Sequence, residues 1–176
     1  FKAQYDMVRE HIESVEFVGG NSDGLFEVKR EMLLAPLGHP PCFKGQSSFS
    51  VFGDGRVAIS FDIAPTLDDL PPLPRLGWLF ELPDTFGYVR WYGRGPYESY
   101  EDRKESAFLG VYESDVENLY FHYIRPQESG NRTDVRWLSI MDKSGIGLKI
   151  FGMPTFNFSA HYYTDDDLTW TLHDYE

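Results

Sequence analysis

Two carboxylic acids held close together can hydrolyse a glycosidic bond, so acids that lie among aromatics are the first residues to weigh. A retaining glycosidase sets its two carboxyl groups about 5 Å apart, and an inverting one roughly 6.5–9.5 Å apart. Glu98, Glu101 and Asp102 in the stretch WYGRGPYESYEDR, and Glu128 in RPQESGNR, are the acids that sit beside aromatic and basic side chains. The chain holds 28 Asp and Glu residues, so acids also meet by chance. The plainer reading is solvated carboxylates with ion pairs to Arg94 or Arg103.

Other chemistries have weaker signals. The histidines are His11, His39, His122, His161 and His173, and none pairs with another at the three-to-five spacing of a local zinc motif. Asp165-Asp166-Asp167 resembles a calcium cluster only in charge, and it reads better as a helix N-terminus, where acids meet the positive end of the dipole. No G-x-S-x-G elbow is present. Cys42 lies between prolines and Phe43 with no basic neighbour, which fits a buried or incidental thiol.

The two stretches themselves are chemically alike. Gly93 and Gly95 permit tight backbone, and Pro96 fixes φ and ends strand pairing. Arg103 can take a carboxylate in a bidentate fork. The first stretch therefore reads as a strand that breaks into a rigid loop lined with acids and aromatics. The second sets Arg125, Gln127, Glu128, Asn131 and Arg132 around a proline and a glycine. Candidates for binding carbohydrate or rimming a pocket are Trp91, Arg94, Tyr97, Glu98, Tyr100, Asp102, Arg103, Glu128, Asn131 and Arg132. The same residues equally suit a buried polar network that locks a loop.

The elements that must carry these loops are strands. HIESVEFVGG carries Ile12, Val15, Phe17 and Val18 before a Gly-Gly stop, and LFEVKREMLL and VAISFDIAP alternate apolar and polar residues, as a strand with one wet face does. Gly53-Asp54-Gly55 between two such runs predicts a hairpin turn, since glycine accepts positive φ without steric cost. LDDLPPLPRLG reads as a structured crossing loop, and GWLFELP as the next strand. VRWLSIMD, a turn at Lys143-Ser144-Gly145, GLKIFG and TFNFSAHYY continue the pattern. Thr164 before three aspartates and Leu168 fits a capping box opening a short helix. ESAFLGVYESDVENLY has room for a second. The sum is an all-β antiparallel sandwich with one or two short helices, and a single domain over residues 1–176.

Composition narrows the partners. The 176 residues suffice for a proper core. Aromatics reach 16%, which suits pleated sheets and flat stacking faces. A formal net charge of −12 argues against a nucleic-acid backbone and an anionic membrane surface. One cysteine excludes an intrachain disulfide and leaves the compartment open, with the cytoplasm favoured. The chain starts at Phe1 without an initiator Met and stops after TWTLHDYE, which reads as a segment cut from a longer polypeptide.

The two stretches resemble the C-terminal domain of the large β-galactosidases of glycoside hydrolase family 2. The family pattern W-x-G-x-G-P-x-E-x-Y-x-D-R is met by Trp91, Gly93, Gly95, Pro96, Glu98, Tyr100, Asp102 and Arg103. Its P-x-E-x-G is met by Pro126, Glu128 and Gly130, and its F-N-x-S by Phe156, Asn157 and Ser159. Tyr162 or Tyr163, Leu168 and His173 follow in the family's order. The resemblance covers roughly the second half of the chain; the first half matches only in strand pattern.

The resemblance implies an antiparallel supersandwich of the galactose mutarotase-like kind. It implies a parent enzyme that hydrolyses terminal β-D-galactosides with retention. Its catalytic glutamates, and its magnesium and sodium ligands, would lie in other domains, so no catalytic residue and no cofactor is expected in this segment. The family's aromatic wall for the aglycone follows the histidine region by some tens of residues, beyond Glu176, and Trp170 is not its counterpart. The implied partners are the remaining domains or a large subunit, the galactoside substrate, and further copies of the full-length enzyme. Two other classes stay open on the residues. One is an autonomous carbohydrate-binding module with a platform of Trp91, Tyr92 and Tyr97. The other is a mutarotase-like epimerase, drawing its imidazole from His122, His161 or His173.

Overall fold

The computed structural model describes residues 4–20 and 25–173. The chain divides into two compact units, Phe1–Trp78 and Leu79–Glu176. Phe1 and the last residues of TWTLHDYE lie outside the described residues. Both units are antiparallel sheets, so the all-β reading holds.

The first unit is a meander. Strands β1 (Val8–Val18), β2 (Phe26–Pro36), β3 (Phe43–Val51) and β4 (Val57–Pro65) lie in the order β1-β2-β3-β4. Alternation sorts the side chains. Phe17, Val28, Phe49 and Ile59 face one another across the four strands and share one face. Glu16, Lys29, Ser48 and Ser60 form the neighbouring row on the other face. Met32, Cys42 and Phe43 are buried. The β3–β4 hairpin turns at Gly53-Asp54-Gly55 as expected. Gly55 has φ +89°, and the Asp54 carboxylate accepts from the Arg56 N–H and Nε.

GWLFELP forms no strand. Prolines at 71, 72, 74 and 83 deprive this stretch of ladder donors. Trp78 instead packs edge-on against Phe49 and Phe61 of the first sheet. The crossing loop is structured, with the Tyr5 hydroxyl donating to Pro71 O at 2.7 Å.

The second unit holds β5 (Tyr88–Gly95), β6 (Phe108–Asp115), β7 (Arg132–Met141) and β8 (Gly147–Phe158), in the order β6-β5-β7-β8. Val89, Trp91, Val135, Leu138, Ile140 and Phe158 pack with Val116 and Leu119 into one core. The ESAFLGVYESDVENLY stretch becomes β6 and one 3-10 turn, Val116–Leu119, rather than a helix. Eight consecutive pairs with β5 outweigh any helical preference there, and the turn drops Val116 and Leu119 into the core. GLKIFG and TFNF join in the single strand β8. The turn at Lys143-Ser144-Gly145 is held by the Asp142 carboxylate, which accepts from the N–H groups of Ser144 and Ile146.

One short helix, α1 (Asp165–Trp170), opens on the expected capping box. Thr164 Oγ1 accepts from the Asp167 N–H, and the Asp167 carboxylate accepts from the Thr164 N–H. Thr164→Ala should cost about 1 kcal/mol locally. Faster hydrogen exchange at the Leu168 amide, with the sheet amides unchanged, is the expected readout.

Candidate functional site

β5 runs into the first motif at Gly95, and the second motif runs into β7 at Arg132. Because β5 and β7 are antiparallel neighbours, the two loops leave the same end of the sheet and meet. They are joined residue by residue. Arg94 Nε donates to the Asp134 carboxylate at 2.5 Å. Arg132 Nη2 donates to Pro96 O at 3.1 Å, and its Nη1 to Gly130 O at 2.6 Å. The Gly130 N–H donates to the Glu98 carboxylate at 2.8 Å. Ser99 and Asn131 exchange bonds at 2.7 Å, from the Ser99 N–H to Asn131 O and from Asn131 Nδ2 to Ser99 O. The hydroxyls of Ser99 and Thr133 close the seam at 2.9 Å.

Glu98 is the centre. Its side chain is 6% exposed, and the carboxylate also accepts from Arg103 Nη2 at 2.6 Å and from the Tyr123 hydroxyl. Burial alone would raise its carboxyl. The Tyr123 hydroxyl, the Gly130 N–H and the Arg103 guanidinium outweigh that and hold it below its ordinary value. Arg132 is 4% exposed and its guanidinium lies over the Trp91 ring at 5.5 Å. Burial pushes it down to about 10, against the negative charge of Glu98, so it stays a cation at neutral pH. Tyr100 is pushed up to about 12 by burial and by the charges of Glu98 and Glu128.

The remaining candidates divide by position. Trp91 is 1% exposed and points inward; its indole N–H donates to Arg94 O at 3.0 Å, and its ring packs on Tyr112 and Phe158. Tyr92, next along the strand, points to the opposite face, so Trp91, Tyr92 and Tyr97 build no common platform. Tyr97 is exposed on the loop and donates to Ser106 O at 2.6 Å. Arg103 lies over the Tyr100 ring at 4.8 Å. Asp102 is exposed in the turn. Glu128 is exposed beside a shallow groove that Arg125 and Gln127 share with Asp165 and Thr169 of α1.

Tyr123, Ser99, Thr133 and Asp134 complete the seam without having been singled out in the sequence. Each is a common residue in an unremarkable local context, and only the β5–β7 pairing brings it in. His161 belongs to the same end: its Nε2 lies 2.9 Å from Ser129 O, which only accepts, so Nε2 carries the proton. Among the described residues no cluster of three or more His, Cys, Asp or Glu is placed to hold a metal ion. No described helix is long and apolar enough to cross a membrane.

A buried carboxylate held by three donors, and a buried guanidinium whose two Nη atoms are held by carbonyls, make a fastening between two loops. Comparison with known proteins agrees with the motif reading. The chain is 38% identical over 129 residues to a β-galactosidase of Priestia megaterium, a match covering 73% of this chain and 12% of that protein. It is 44% identical over 92 residues to one from Vibrio cholerae, covering 52% and 9%. It is 33% identical over 170 residues to one from Kluyveromyces lactis, covering 94% and 16%. The chain thus spans a small fraction of the relatives it matches. Residues 2–176 match the family described as the β-galactosidase small chain, and the chain belongs to that family.

Proposed function

We propose that this chain is the accessory, non-catalytic domain of a β-galactosidase of glycoside hydrolase family 2, built on a mutarotase-like sheet scaffold. Its role is to shape the rim of the galactoside pocket and to pack on the remaining domains or a large subunit. The observation that carries this reading is the state of Glu98. A general acid needs a carboxyl raised toward neutral pH. Glu98 is held low instead, with its oxygens committed to Arg103, Tyr123 and Gly130. Glu101 and Asp134 are likewise held below their ordinary values, each by a hydrogen bond first of all, from Lys104 and Arg94 respectively. Magnesium, sodium and the catalytic acids are assigned to the parts of the enzyme outside this chain.

The test is Glu98→Gln in a β-galactosidase that contains this chain. Per folded molecule, kcat on a nitrophenyl galactoside and its pH profile should stay within about twofold of wild type. A drop of about a hundredfold or more, with a shifted acid limb, is the signature of a working acid–base group and would sink the reading.

A further inference from the structure

We propose that the proline-rich strap of residues 70–74, LPPLP, is a preformed polyproline II ligand that seats in an aromatic-lined groove of the β-galactosidase polypeptide outside this chain. The inference rests on the accessory-domain reading and gives that domain a point of attachment.

Covalent geometry sets the shape of LPPLP. Every residue from 70 to 74 is a proline or precedes one. Proline fixes its own φ at about −65° and drives the residue before it out of the helical region. Polyproline II repeats every three residues. Leu70 and Leu73 therefore lie along one edge, and Pro71 and Pro74 along the next, each pair about 9 Å apart. The strap is also tied down. Before it, the Thr66 N–H donates to Cys42 O at 2.9 Å. Within it, Pro71 O accepts from the Tyr5 hydroxyl at 2.7 Å. After it, Trp78 packs on Phe49 and Phe61. All of these partners belong to the first unit. Between the ties the chain bends at Pro74 and joins no strand. Pro71, Pro72 and Pro74 are exposed, and Leu73 and Leu76 are 37% and 48% exposed.

Polyproline II has no internal hydrogen bonds, so it presents its carbonyls and flat proline faces outward. Aromatic side chains carrying a hydroxyl or N–H donor are what grip such a surface. Tyr5 grips one side in that way. Trp78, the tryptophan nearest in sequence, is turned onto the sheet, so the aromatics for the other side come from another segment of polypeptide. Prolines and ties leave little to order on docking. The flanking charges are Asp68 and Asp69 before the strap and Arg75 after it, which leaves the middle apolar and gives the groove one basic and one acidic end. The matched relatives, of which this chain spans 9–16%, leave ample polypeptide to supply it.

Photo-crosslinking of the active enzyme containing this chain tests the proposal. Benzoylphenylalanine in place of Leu73, or of Leu76 in a second variant, should join the strap to a peptide outside residues 1–176, with Trp or Tyr beside the linked position, as read by mass spectrometry. Replacing that aromatic by alanine should cut the yield at least about tenfold, and denaturation should abolish it. No crosslink from either position, or crosslinks only within residues 1–176, would overturn the proposal and leave the accessory role standing. A linked peptide without Trp or Tyr at the junction would show packing of another kind and also overturn it. The accessory role fails by a different result, full activity and assembly when this chain is deleted.

Discussion

Glu98→Ala should be among the most damaging single changes in this chain, lowering stability by about 3–4 kcal/mol. The cost has identifiable parts. The Gly130 N–H loses its acceptor in a buried place, worth about 1–3 kcal/mol. The Tyr123 hydroxyl loses its partner, and buried Arg132 loses the negative charge that offsets its desolvation. Arg103 is half exposed and turns to water, so its share is small. Thermal unfolding followed by circular dichroism should show Tm lower by roughly 10 °C. Glu98→Gln keeps the shape and part of the bonding, and should cost about half as much.

The effect depends on pH with a definite sign. The folded carboxyl lies below its ordinary value of 4.5, so the folded state favours the charged form. The stabilisation is therefore complete above about pH 4.5 and drains away as pH falls through the depressed folded value. Wild type and Glu98→Ala should differ fully at pH 7 and converge under acid. A gap that instead widened below pH 4 would mean that Glu98 is buried neutral, and the fastening described here would be wrong.

Local chemistry was readable in the sequence wherever one residue decides the backbone. The Gly53-Asp54-Gly55 hairpin, the turn after Asp142 and the Thr164 capping box each depend on contacts within a few residues. The misreadings came where tertiary context decides. GWLFELP reads as a short apolar strand, yet prolines flank it and Trp78 finds its partners on the sheet face. ESAFLGVYESDVENLY balances helix and strand, and β5 settles it by supplying a ladder.

The seam was half legible. Glu98, Arg103, Asn131 and Arg132 could be picked out as a polar set, because charged residues packed among Gly, Pro and aromatics need partners. Their pairing could not, because it follows from β5 lying between β6 and β7. The hairpin to β6 pairs in sequence order, whereas the β5–β7 contact skips a strand. Only that skip brings residue 98 to residue 130. The pleat of β5 turns Trp91 inward and Tyr92 outward, a one-residue difference that separates core from surface.

Gly130→Ala should approach the effect of Glu98→Ala, at about 3–4 kcal/mol, and comparison with Gly145→Ala shows why. Both glycines have positive φ, +72° and +85°, so each alanine costs about 1–2 kcal/mol for its left-handed backbone alone. Their surroundings differ. A Cβ on Gly145 meets nothing within 4 Å. A Cβ on Gly130 collides with Leu119 O and comes within 2.8 Å of His161 Cε1. Neither can yield cheaply, because Leu119 is buried in the core and His161 is held against Ser129 O. Any shift of the loop also draws the Gly130 N–H from Glu98. The excess of Gly130→Ala over Gly145→Ala in urea unfolding should therefore be about 2 kcal/mol, and removing Glu98 first should shrink it, since the two changes act on one bond. Equal costs for the two alanines would show that the turn demands glycine for its backbone angle alone, and that the close approach of the two motifs contributes nothing.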